Sequence, residues 1–378
     1  MWNFLSEPSM LPLVLFTVFS LAVAYQIFHI LYFHVRIALW KHQPLDEAIV
    51  PCSVVICVRN EEKHLMELIP QLMEQDHPDF ELVVVNDNSW DDSKDILKAL
   101  QIQYPRIHVI ELDEEKQLMQ GKKFALTLGI KGAKKDIIVL TDADCRPSSN
   151  SWLRSISGPL AEERSELVLG FSPYGYSPGL LNALIRFDAY FIGLNYLGMA
   201  AAGNAYMGVG RNMAYSKSLF FDVGGFKSHY HIASGDDDLF VQEAAPRAKC
   251  TIQFAPESQA VSAPKTDFSS WFKQKKRHLT TSGHYRFIHK FFLAMWPLSF
   301  TLMWACGVLL MVLHNAFLIA GIMLLLRYLI QLVTFKVSMD KMGQSSLFWA
   351  SPVLEALLWI TNPIIWLSNL VSKPKTWT

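Results

Sequence analysis

The sequence has few cysteines and no excess charge of either sign, and both shortages argue against whole classes of function. Its five cysteines form no Cys-x-x-Cys pair and no regular framework, which argues against a zinc site and fits reduced thiols facing the cytosol. Lysine plus arginine and aspartate plus glutamate number 34 each, so the net charge gives no indication of a nucleic-acid partner, and we expect none. Charged residues make up only 18% of the chain, whereas 51% are hydrophobic and the mean hydropathy is +0.20. This balance predicts that part of the chain lies in a membrane.

Long stretches without a charged residue mark the predicted membrane segments. Residues 10–33 contain no Asp, Glu, Lys or Arg, which is long enough for a helix to cross a bilayer. A secretory signal is the alternative, but no basic segment precedes this run and the run exceeds a usual signal core. Only Glu7 precedes it, whereas Arg36 and Lys41 follow, so the positive-inside tendency places the next segment in the cytoplasm. We therefore expect an integral protein of the cell membrane, with an anchor and linker over residues 1–45.

The C-terminal part contains further apolar segments. Residues 291–326 also lack the four charged types, and a helix of this length would extend about 54 Å, too far for one crossing. We expect a break near His314 and Asn315, and therefore two spans. A lipid-facing charge is costly, so Arg327 should face other helices or a polar headgroup. The apolar stretch 347–371 is compatible with either a crossing or an interfacial element.

Between these apolar ends, strands are predicted to alternate with helices. Apolar runs at 53–58, 80–85, 107–112 and 137–140 have the composition of buried strands. Helical patterns separate them, the last over 121–132. This alternation predicts right-handed βαβ units and a Rossmann-like, mostly parallel sheet of the α/β class.

The last of these strands ends in two carboxylates one residue apart, Asp142 and Asp144. The carboxyl ends of parallel strands form the rim at which open α/β sheets bind ligands. Mg²⁺ and Mn²⁺ take oxygen ligands and are often completed by substrate phosphates, so this Asp-x-Asp pair is a candidate metal site. Two solvated aspartates in an ordinary turn are the alternative.

Polar residues also follow the other strands, and we expect them at the same rim. Several such clusters on one rim are typical of a nucleotide-diphosphate pocket. Lys122 is expected either near the phosphates or in solvent on its helix. Asp91 and Asp92 are better suited to capping a helix. The remaining candidates at the strand ends are Arg59, Asn60, Glu61, Glu62 and Asp87.

Three successive carboxylates, Asp236, Asp237 and Asp238, follow Gly235 and precede an apolar helix start. Like charges this dense repel one another, so one of the three is expected to have the raised pKa that a general base near neutral pH needs. An acidic helix N-terminus stabilised by the helix dipole is the alternative.

Residues 270–286 combine an apolar side with a basic side. This pattern suits an amphipathic helix at the cytoplasmic membrane interface. The same cations, brought to the Asp-x-Asp rim, would instead hold a diphosphate and help it leave.

Taken in order, the segments VVICVRNEE, VVVNDNSWDDS, GKKFAL, TDADC, GDDD and KQKKRH resemble the family 2 glycosyltransferases over about residues 50–290. The flanking membrane segments are similar to those of cellulose, chitin and hyaluronan synthases and of ceramide glucosyltransferase. The resemblance implies a GT-A fold, a UDP-sugar donor and a divalent cation, Mn²⁺ or Mg²⁺. It also implies inversion at the anomeric carbon by one direct displacement.

The resemblance implies roles for the residues on the donor side. Asp87 corresponds to the aspartate that binds the uridine part of the donor, and Glu61 or Glu62 borders the same pocket. Asp142 and Asp144 correspond to the metal-binding pair, in which Asp144 binds the metal most directly.

On the acceptor side, Asp237 corresponds to the base that deprotonates the acceptor hydroxyl. Counting back from Leu239, the apolar residue after the cluster, assigns the base to Asp236 instead. Gln274 and Arg277 match the first and last fixed polar positions of the family's QxxRW motif. His278 stands where that motif has a tryptophan associated with the acceptor, which weakens the inference of a processive polymer synthase.

The resulting hypothesis is a metal-dependent hexosyltransferase that moves one sugar from a UDP-sugar to a lipid or glycan acceptor at the membrane. A processive polysaccharide synthase is the alternative within the family, and an inactive GT-A binding module is the alternative from another class. The intact set of carboxylates argues against the inactive module. The expected domains are the anchor, a cytoplasmic GT-A domain over 46–265, an interface helix region over 266–290 and transmembrane segments over 291–378.

Overall fold

A seven-stranded sheet forms the centre of the globular part of the chain. The computed structural model describes residues 10–42, 49–112, 121–163, 165–232 and 234–371. Two further strands in these ranges form a small antiparallel sheet. The strands are β1 Cys52–Val58, β2 Phe80–Asp87, β3 Ile107–Leu112, β4 Ile137–Leu140, β5 Cys145–Pro147, β6 Leu167–Gly170, β7 Met213–Ser216, β8 Cys250–Gln253 and β9 Ala260–Ser262.

The strands of the large sheet follow the order β3-β2-β1-β4-β7-β6-β8, and β7 runs opposite to the other six. The predicted mostly parallel α/β sheet is therefore confirmed. The strands predicted at 107–112 and 137–140 have the observed bounds. The first strand begins one residue earlier, at Cys52, and the second extends to Asp87.

Helices cover both faces of this sheet and continue at both ends of the chain. The α-helices are α1 Leu11–His29, α2 Val35–Leu39, α3 Glu62–Met73, α4 Ser93–Gln103, α5 Lys122–Gly132, α6 Trp152–Ser157, α7 Leu180–Ala201, α8 Lys217–Asp222, α9 Asp238–Ala244, α10 Phe268–His278, α11 Phe287–His314, α12 Phe317–Lys341 and α13 Ser351–Val371.

The central strands are apolar on both faces because each face packs against helices. Val54 and Ile56 are buried in the core under α3 and α4, whereas Val55 is buried in the core that contains α5 and α7. Val55 is paired with Val83 on β2 and Leu140 on β4. A shift of one residue would exchange the two faces, so this alternation fixes which side chains reach the rim.

Four helices in the described ranges are long and apolar enough to cross a membrane. The first is continuous from Leu11 to Leu39, because α1 passes through a π-helical turn into α2. The predicted break between the next two is confirmed, since α11 ends at His314 and Asn315 has a left-handed φ of 50°. The fourth is α13.

The first three of these helices form a bundle with polar contacts inside it. The Gln26 side chain on α1 donates to the Trp296 carbonyl on α11 at 3.0 Å and to Ser299 Oγ at 2.8 Å. Arg327 on α12 is fully buried and donates to Gln26 Oε1 at 2.8 Å and to Glu355 Oε1 on α13 at 3.2 Å. The expectation that Arg327 faces other helices is confirmed.

Both ends of α13 are attached to the globular part. Just before it begins, Gln344 Oε1 and Ser346 Oγ each accept a hydrogen bond at 3.1 Å from Arg186 on α7. Near its end, Asn369 Nδ2 donates to the Lys276 carbonyl on α10 at 2.8 Å. This helix therefore lies between the bundle and the sheet domain.

Candidate active site

Asp142 and Asp144 lie at the sheet rim, directly after β4, and both are half-buried. One ligand atom from each lies within 4.8 Å of the other and of the Cys145 Sγ. Burial raises the pKa of the Cys145 thiol well above its ordinary value, and Ser262 Oγ lies 3.1 Å from its sulfur. The two carboxylates are therefore better candidate ligands than the buried thiol. Oxygen ligands of this kind fit Mg²⁺ or Mn²⁺.

Lys122, in the first turn of α5, connects this pair to the second acidic cluster. Its Nζ lies 2.9 Å from Asp142 Oδ1 and 2.9 Å from Asp236 Oδ2. Burial by itself opposes the positive charge, but the two carboxylates outweigh it, so the pKa of Lys122 is raised well above its ordinary value. Lys122 was expected either near the phosphates or in solvent, and the structure places it at the rim rather than in solvent.

The three carboxylates of the second cluster have three different environments. Burial alone would raise the pKa of Asp236, but the ion pair with Lys122 outweighs it and the pKa is lowered. Asp238 is buried at the start of α9, where Tyr285 donates to its Oδ2 at 2.6 Å and Thr281 also donates to it. Asp238 therefore connects α9 to the segment after α10.

Asp237 accepts hydrogen bonds from two backbone amides, those of Gly210 at 3.1 Å and Asp238 at 2.8 Å. Burial, followed by repulsion from Asp236 and Asp238, raises the pKa of Asp237 to about 7. A carboxylate with this pKa is suited to accepting a proton near neutral pH. Burial also raises the pKa of Asp238, so two members of the cluster, rather than the one expected, have a raised pKa.

The loop before this cluster is held by a lysine that the sequence analysis did not identify. Lys123 is buried, and its Nζ donates to the carbonyls of His229 at 2.7 Å, Ile232 at 2.9 Å and Ser234 at 2.8 Å. Gly235 then has a φ of +100°, and a Cβ at this position would lie 2.6 Å from the Leu239 side chain. These contacts fix the approach of the chain to the acidic cluster.

Helix α10 brings the third predicted motif to the same place. Trp271 is buried in the core, and Lys275 forms an ion pair with Asp188 on α7 at 2.7 Å. Gln274 Nε2 donates to the Tyr174 hydroxyl at 3.3 Å. Much of the polar side of this helix therefore faces the protein, and Arg277 lines the cavity described below.

The loops that follow β1 and β2 at the rim are joined to one another by hydrogen bonds. Asn60 has a left-handed φ of 58°, and its Oδ1 accepts from the Trp90 amide at 3.0 Å. Glu62 Oε2 accepts from the Asp92 amide at 3.2 Å, while Asp91 Oδ2 accepts from the Glu62 amide at 3.1 Å. Asp91 Oδ1 also accepts from the Ser93 amide at 3.0 Å. Asp92 is the N-cap residue of α4 but its side chain makes no capping hydrogen bond, so of the two residues predicted to cap this helix only Asp91 bonds its first amide.

Two further predicted residues lie beside these loops. Asp87 is buried at the end of β2, with its Oδ2 3.7 Å from Arg59 Nη1. Burial, followed by repulsion from Asp144 and Asp142, raises the pKa of Glu61 to about 7. Glu61 therefore lies close enough to the Asp-x-Asp pair for the negative charge of that pair to repel its own.

One cavity of about 1710 Å³ joins this rim to the apolar helices. Its wall includes Trp296 on α11 and Trp359 on α13 as well as rim residues. Glu62 and Asp87 are not among the residues that line it. The predicted site residues that do line it are Arg59, Asn60, Glu61, Lys122, Asp142, Asp144, Asp236, Asp237, Gln274 and Arg277.

Arg211, which also lines the cavity, is a second residue that the sequence analysis missed. Its Nε donates to Ser172 Oγ at 2.8 Å and its Nη2 to the Ser172 carbonyl at 3.1 Å. In the sequence, only the Gly-x-Gly pattern of Gly208 and Gly210, directly before Arg211, marks this segment. Such a pattern alone is weak evidence of a site.

The family model for glycosyl transferase family 2 matches residues 53–224, which contain the Asp-x-Asp pair. The chain therefore contains a segment that matches glycosyl transferase family 2, over somewhat less than half of its length. It is similar to the glycosyltransferase AglE of Haloferax volcanii, at 27% identity over 49% of this chain and 58% of the relative. It is also similar to the probable glycosyltransferase YdaM of Bacillus subtilis, at 23% identity over 66% of this chain and 59% of the relative. Each match thus spans less than two thirds of the relative's length.

Among solved structures, the fold of this chain is similar to that of the mannosyltransferase PcManGT from Pyrobaculum calidifontis. The TM-score is 0.54 and the identity 20%, over 89% of this chain and 98% of that one. This likeness concerns the fold, and it agrees with the expected GT-A architecture flanked by apolar helices.

Proposed function

We propose that this chain is a membrane glycosyltransferase that moves one sugar from a nucleotide-sugar donor to a lipid or lipid-linked acceptor, with inversion at the anomeric carbon. One observation carries the proposal: the cavity that contains both acidic clusters also has walls formed by the apolar helices α11 and α13. In this cavity, a donor at the rim would meet an acceptor from the bilayer. The donor would remain in water, and the acceptor would remain in the lipid.

On the donor side, Asp142 and Asp144 would hold Mn²⁺ or Mg²⁺. When bound, such an ion supplies positive charge that neutralises the diphosphate of the donor. Arg277 would stabilise the charge that develops on the leaving diphosphate. The similar mannosyltransferase was solved in complex with GDP-Man and Mn²⁺, whereas the motif resemblance favours a UDP-sugar.

On the acceptor side, Asp237 would act as the general base. Its carboxylate accepts the proton of the acceptor hydroxyl while that oxygen forms a bond to the anomeric carbon. The bond from that carbon to the diphosphate oxygen breaks in the same step, and its electron pair leaves with the diphosphate. Asp236 is less suited to this role, because the ion pair with Lys122 holds its carboxylate 2.9 Å from an ammonium group.

The site faces the cytoplasm in this proposal, where nucleotide sugars are made available to it, and α1 anchors it in the cell membrane. Arg36 and Lys41 on the globular side of α1 support this orientation. Adding a cysteine-reactive, membrane-impermeant label to intact cells and to inverted vesicles, with a single cysteine placed at exposed Asp222, distinguishes the two orientations.

The function is tested by nucleotide release from a panel of UDP- and GDP-sugars, using the purified full-length protein with Mn²⁺ and mixed membrane lipids. We expect release with one donor, dependence on lipid and a product heavier than the lipid by one sugar. A ladder of products would favour the polysaccharide synthase. Donor binding without any turnover would favour the inactive binding module.

A further inference from the structure

The cavity has an apolar part that the donor chemistry does not use. We call it the membrane arm and define it by Leu298 and Thr301 on α11 and by Trp359 and Trp366 on α13, all of which line the cavity. Leu298 is 49% exposed and Trp366 52% exposed, so the same residues also form part of the outer surface of these helices. The arm therefore opens sideways.

The wall of the arm carries little net charge. Residues 291–326, which supply its α11 side, contain no Asp, Glu, Lys or Arg, and α13 contains one such residue, Glu355. Glu355 is buried and is neutralised by Arg327 at 3.2 Å, while Gln331 donates to its Oε2 at 2.9 Å. A wall of this kind is favourable for a hydrocarbon chain and unfavourable for a phosphate or a sugar polymer.

Contacts at three places along α13 determine how it borders the arm. Both of its ends are bonded to the globular part, as described above, whereas its middle reaches α11. There the Trp359 indole nitrogen donates to Thr301 Oγ1 at 3.0 Å, and its ring lies 5.8 Å from that of Phe300. The middle of α13 therefore packs against α11 at Thr301, while its two ends are held by the globular part.

We infer that the membrane arm holds the hydrocarbon chain of the acceptor lipid, which enters sideways from the bilayer between α11 and α13. The acceptor hydroxyl then lies at the inner end of the chain, in the part of the cavity lined by Asp237. This inference rests on the proposed function and adds where the acceptor is held: a lipid whose hydrocarbon chain lies in the arm and leads to a hydroxyl-bearing head.

The occupancy of the arm is tested first without any reference to turnover. The probe is a long-chain primary alcohol with a diazirine near the end of the chain, supplied to the full-length protein in vesicles of phosphatidylethanolamine and phosphatidylglycerol. We expect light-induced adducts on Phe191 and Ile192, which line the cavity on α7 of the globular part. Adducts confined to the outer faces of α1, α11 and α12 would overturn the inference.

Variants on α11 provide the second test. Leu298→Trp combined with Ala294→Trp fills the arm, since both residues line the cavity. Leu309→Trp is the matched control, because Leu309 lies about three turns further along the same helix, is 42% exposed and lies outside the cavity lining. We expect the filled variant to lose the α7 adducts and to weaken its use of the alcohol as acceptor at least tenfold, about the effect of losing two buried methylene groups. Leu309→Trp should behave as wild type.

The outcomes separate the two proposals. If wild type glycosylates the alcohol and the filled variant does so equally well, the arm is not the acceptor site and the proposed function stands. If α7 is labelled but no lipid is glycosylated with any donor, the arm binds lipid and the proposed function is wrong. Donor binding by the filled variant, measured alongside, distinguishes a blocked arm from a misfolded protein.

Discussion

Two acidic clusters meet in one cavity, and they differ in what surrounds their carboxylates. Asp142 and Asp144 follow a strand at the rim and are half-buried, and they are the pair that would hold the metal ion in the proposed function. Asp237 lies between two other carboxylates, and burial with their repulsion raises its pKa to about 7. Lys122 touches both clusters at 2.9 Å. The comparison indicates that the neighbours of an aspartate, rather than its residue type, decide which of the two proposed roles it suits.

Removing the proposed base should have the largest effect. Asp237→Asn is expected to reduce kcat about 10²–10⁴-fold, because the acceptor proton loses its base, while donor affinity changes little. Initial rates of nucleotide release and donor binding measure both quantities. Asp222→Asn, at an exposed position outside the cavity, is the matched control. Equal rates in wild type and Asp237→Asn would assign the proton transfer elsewhere, with Asp236→Asn as the next variant to test.

Substitutions of Asp142 or Asp144 should first affect the binding of the donor. Asp144→Asn is expected to weaken metal-dependent donor binding at least about tenfold, because even partners outside the ligand shell have effects of about 10–100-fold. Excess Mn²⁺ should restore part of the loss. Binding titrations at several Mn²⁺ concentrations, with EDTA as the metal-free reference, measure the effect. Full turnover in EDTA would contradict the metal assignment.

The two clusters should also differ in their dependence on pH. Asp237 must be ionised to act, so kcat is expected to fall as pH decreases through about 7. Because its folded pKa is above the unfolded value, the ionised carboxylate destabilises the fold above pH 7, and this cost disappears as pH falls towards the unfolded pKa. Asp237→Asn should therefore raise Tm at pH 8 and change it much less near pH 4. Rate profiles and thermal unfolding at these pH values test both statements, and an unchanged Tm at pH 8 would contradict the raised pKa.

Lys123→Met should have a smaller effect that combines stability and rate. Three buried carbonyls lose their donor, which is expected to lower the free energy of unfolding by about 2 kcal/mol or more and to reduce kcat by loosening the loop before Asp236. Lys131→Met, on an exposed face of the same helix, is the control. Chemical denaturation together with kinetics shows whether both quantities change. A variant as stable and active as Lys131→Met would exclude the positioning role.

The smallest effect is expected at Glu62. Its side chain bonds the Asp92 amide and lies outside the cavity lining, and an amide oxygen can accept the same hydrogen bond. Glu62→Gln should change stability by less than about 1 kcal/mol and leave donor affinity unchanged. Glu61→Gln, whose side chain does line the cavity, should alter donor affinity. Donor titrations of the two variants decide which glutamate borders the pocket.

The strands and the main site motifs were predictable because their signals are local. Runs such as 137–140 are uniformly apolar, and a strand with both faces buried needs no other information. The charge-free segment 291–326 and its break at Asn315 follow from length alone. Asp142 and Asp144 could be placed at the rim because the end of a parallel strand defines it.

Other features depend on contacts between distant parts of the chain. Asp236 and Asp237 are neighbours of the same type, and distant residues make their environments different: Lys122 pairs with Asp236, whereas the Gly210 amide donates to Asp237. The contacts of Lys123 with three carbonyls and of Arg211 with Ser172 likewise form only in the folded chain. Helix α7, apolar on most of its surface, has no periodic pattern because it is buried on nearly all sides.

The central claim is that both clusters act in one transfer to a membrane lipid. The most direct measurement is the mass of the lipid products formed by wild type and by Asp237→Asn from the donor that wild type binds, in the same lipid vesicles with Mn²⁺. We predict a lipid adduct heavier by one sugar for wild type and its loss in Asp237→Asn, although the variant still binds the donor. Equal amounts of adduct from both proteins, or a ladder of sugars from wild type, would contradict the account.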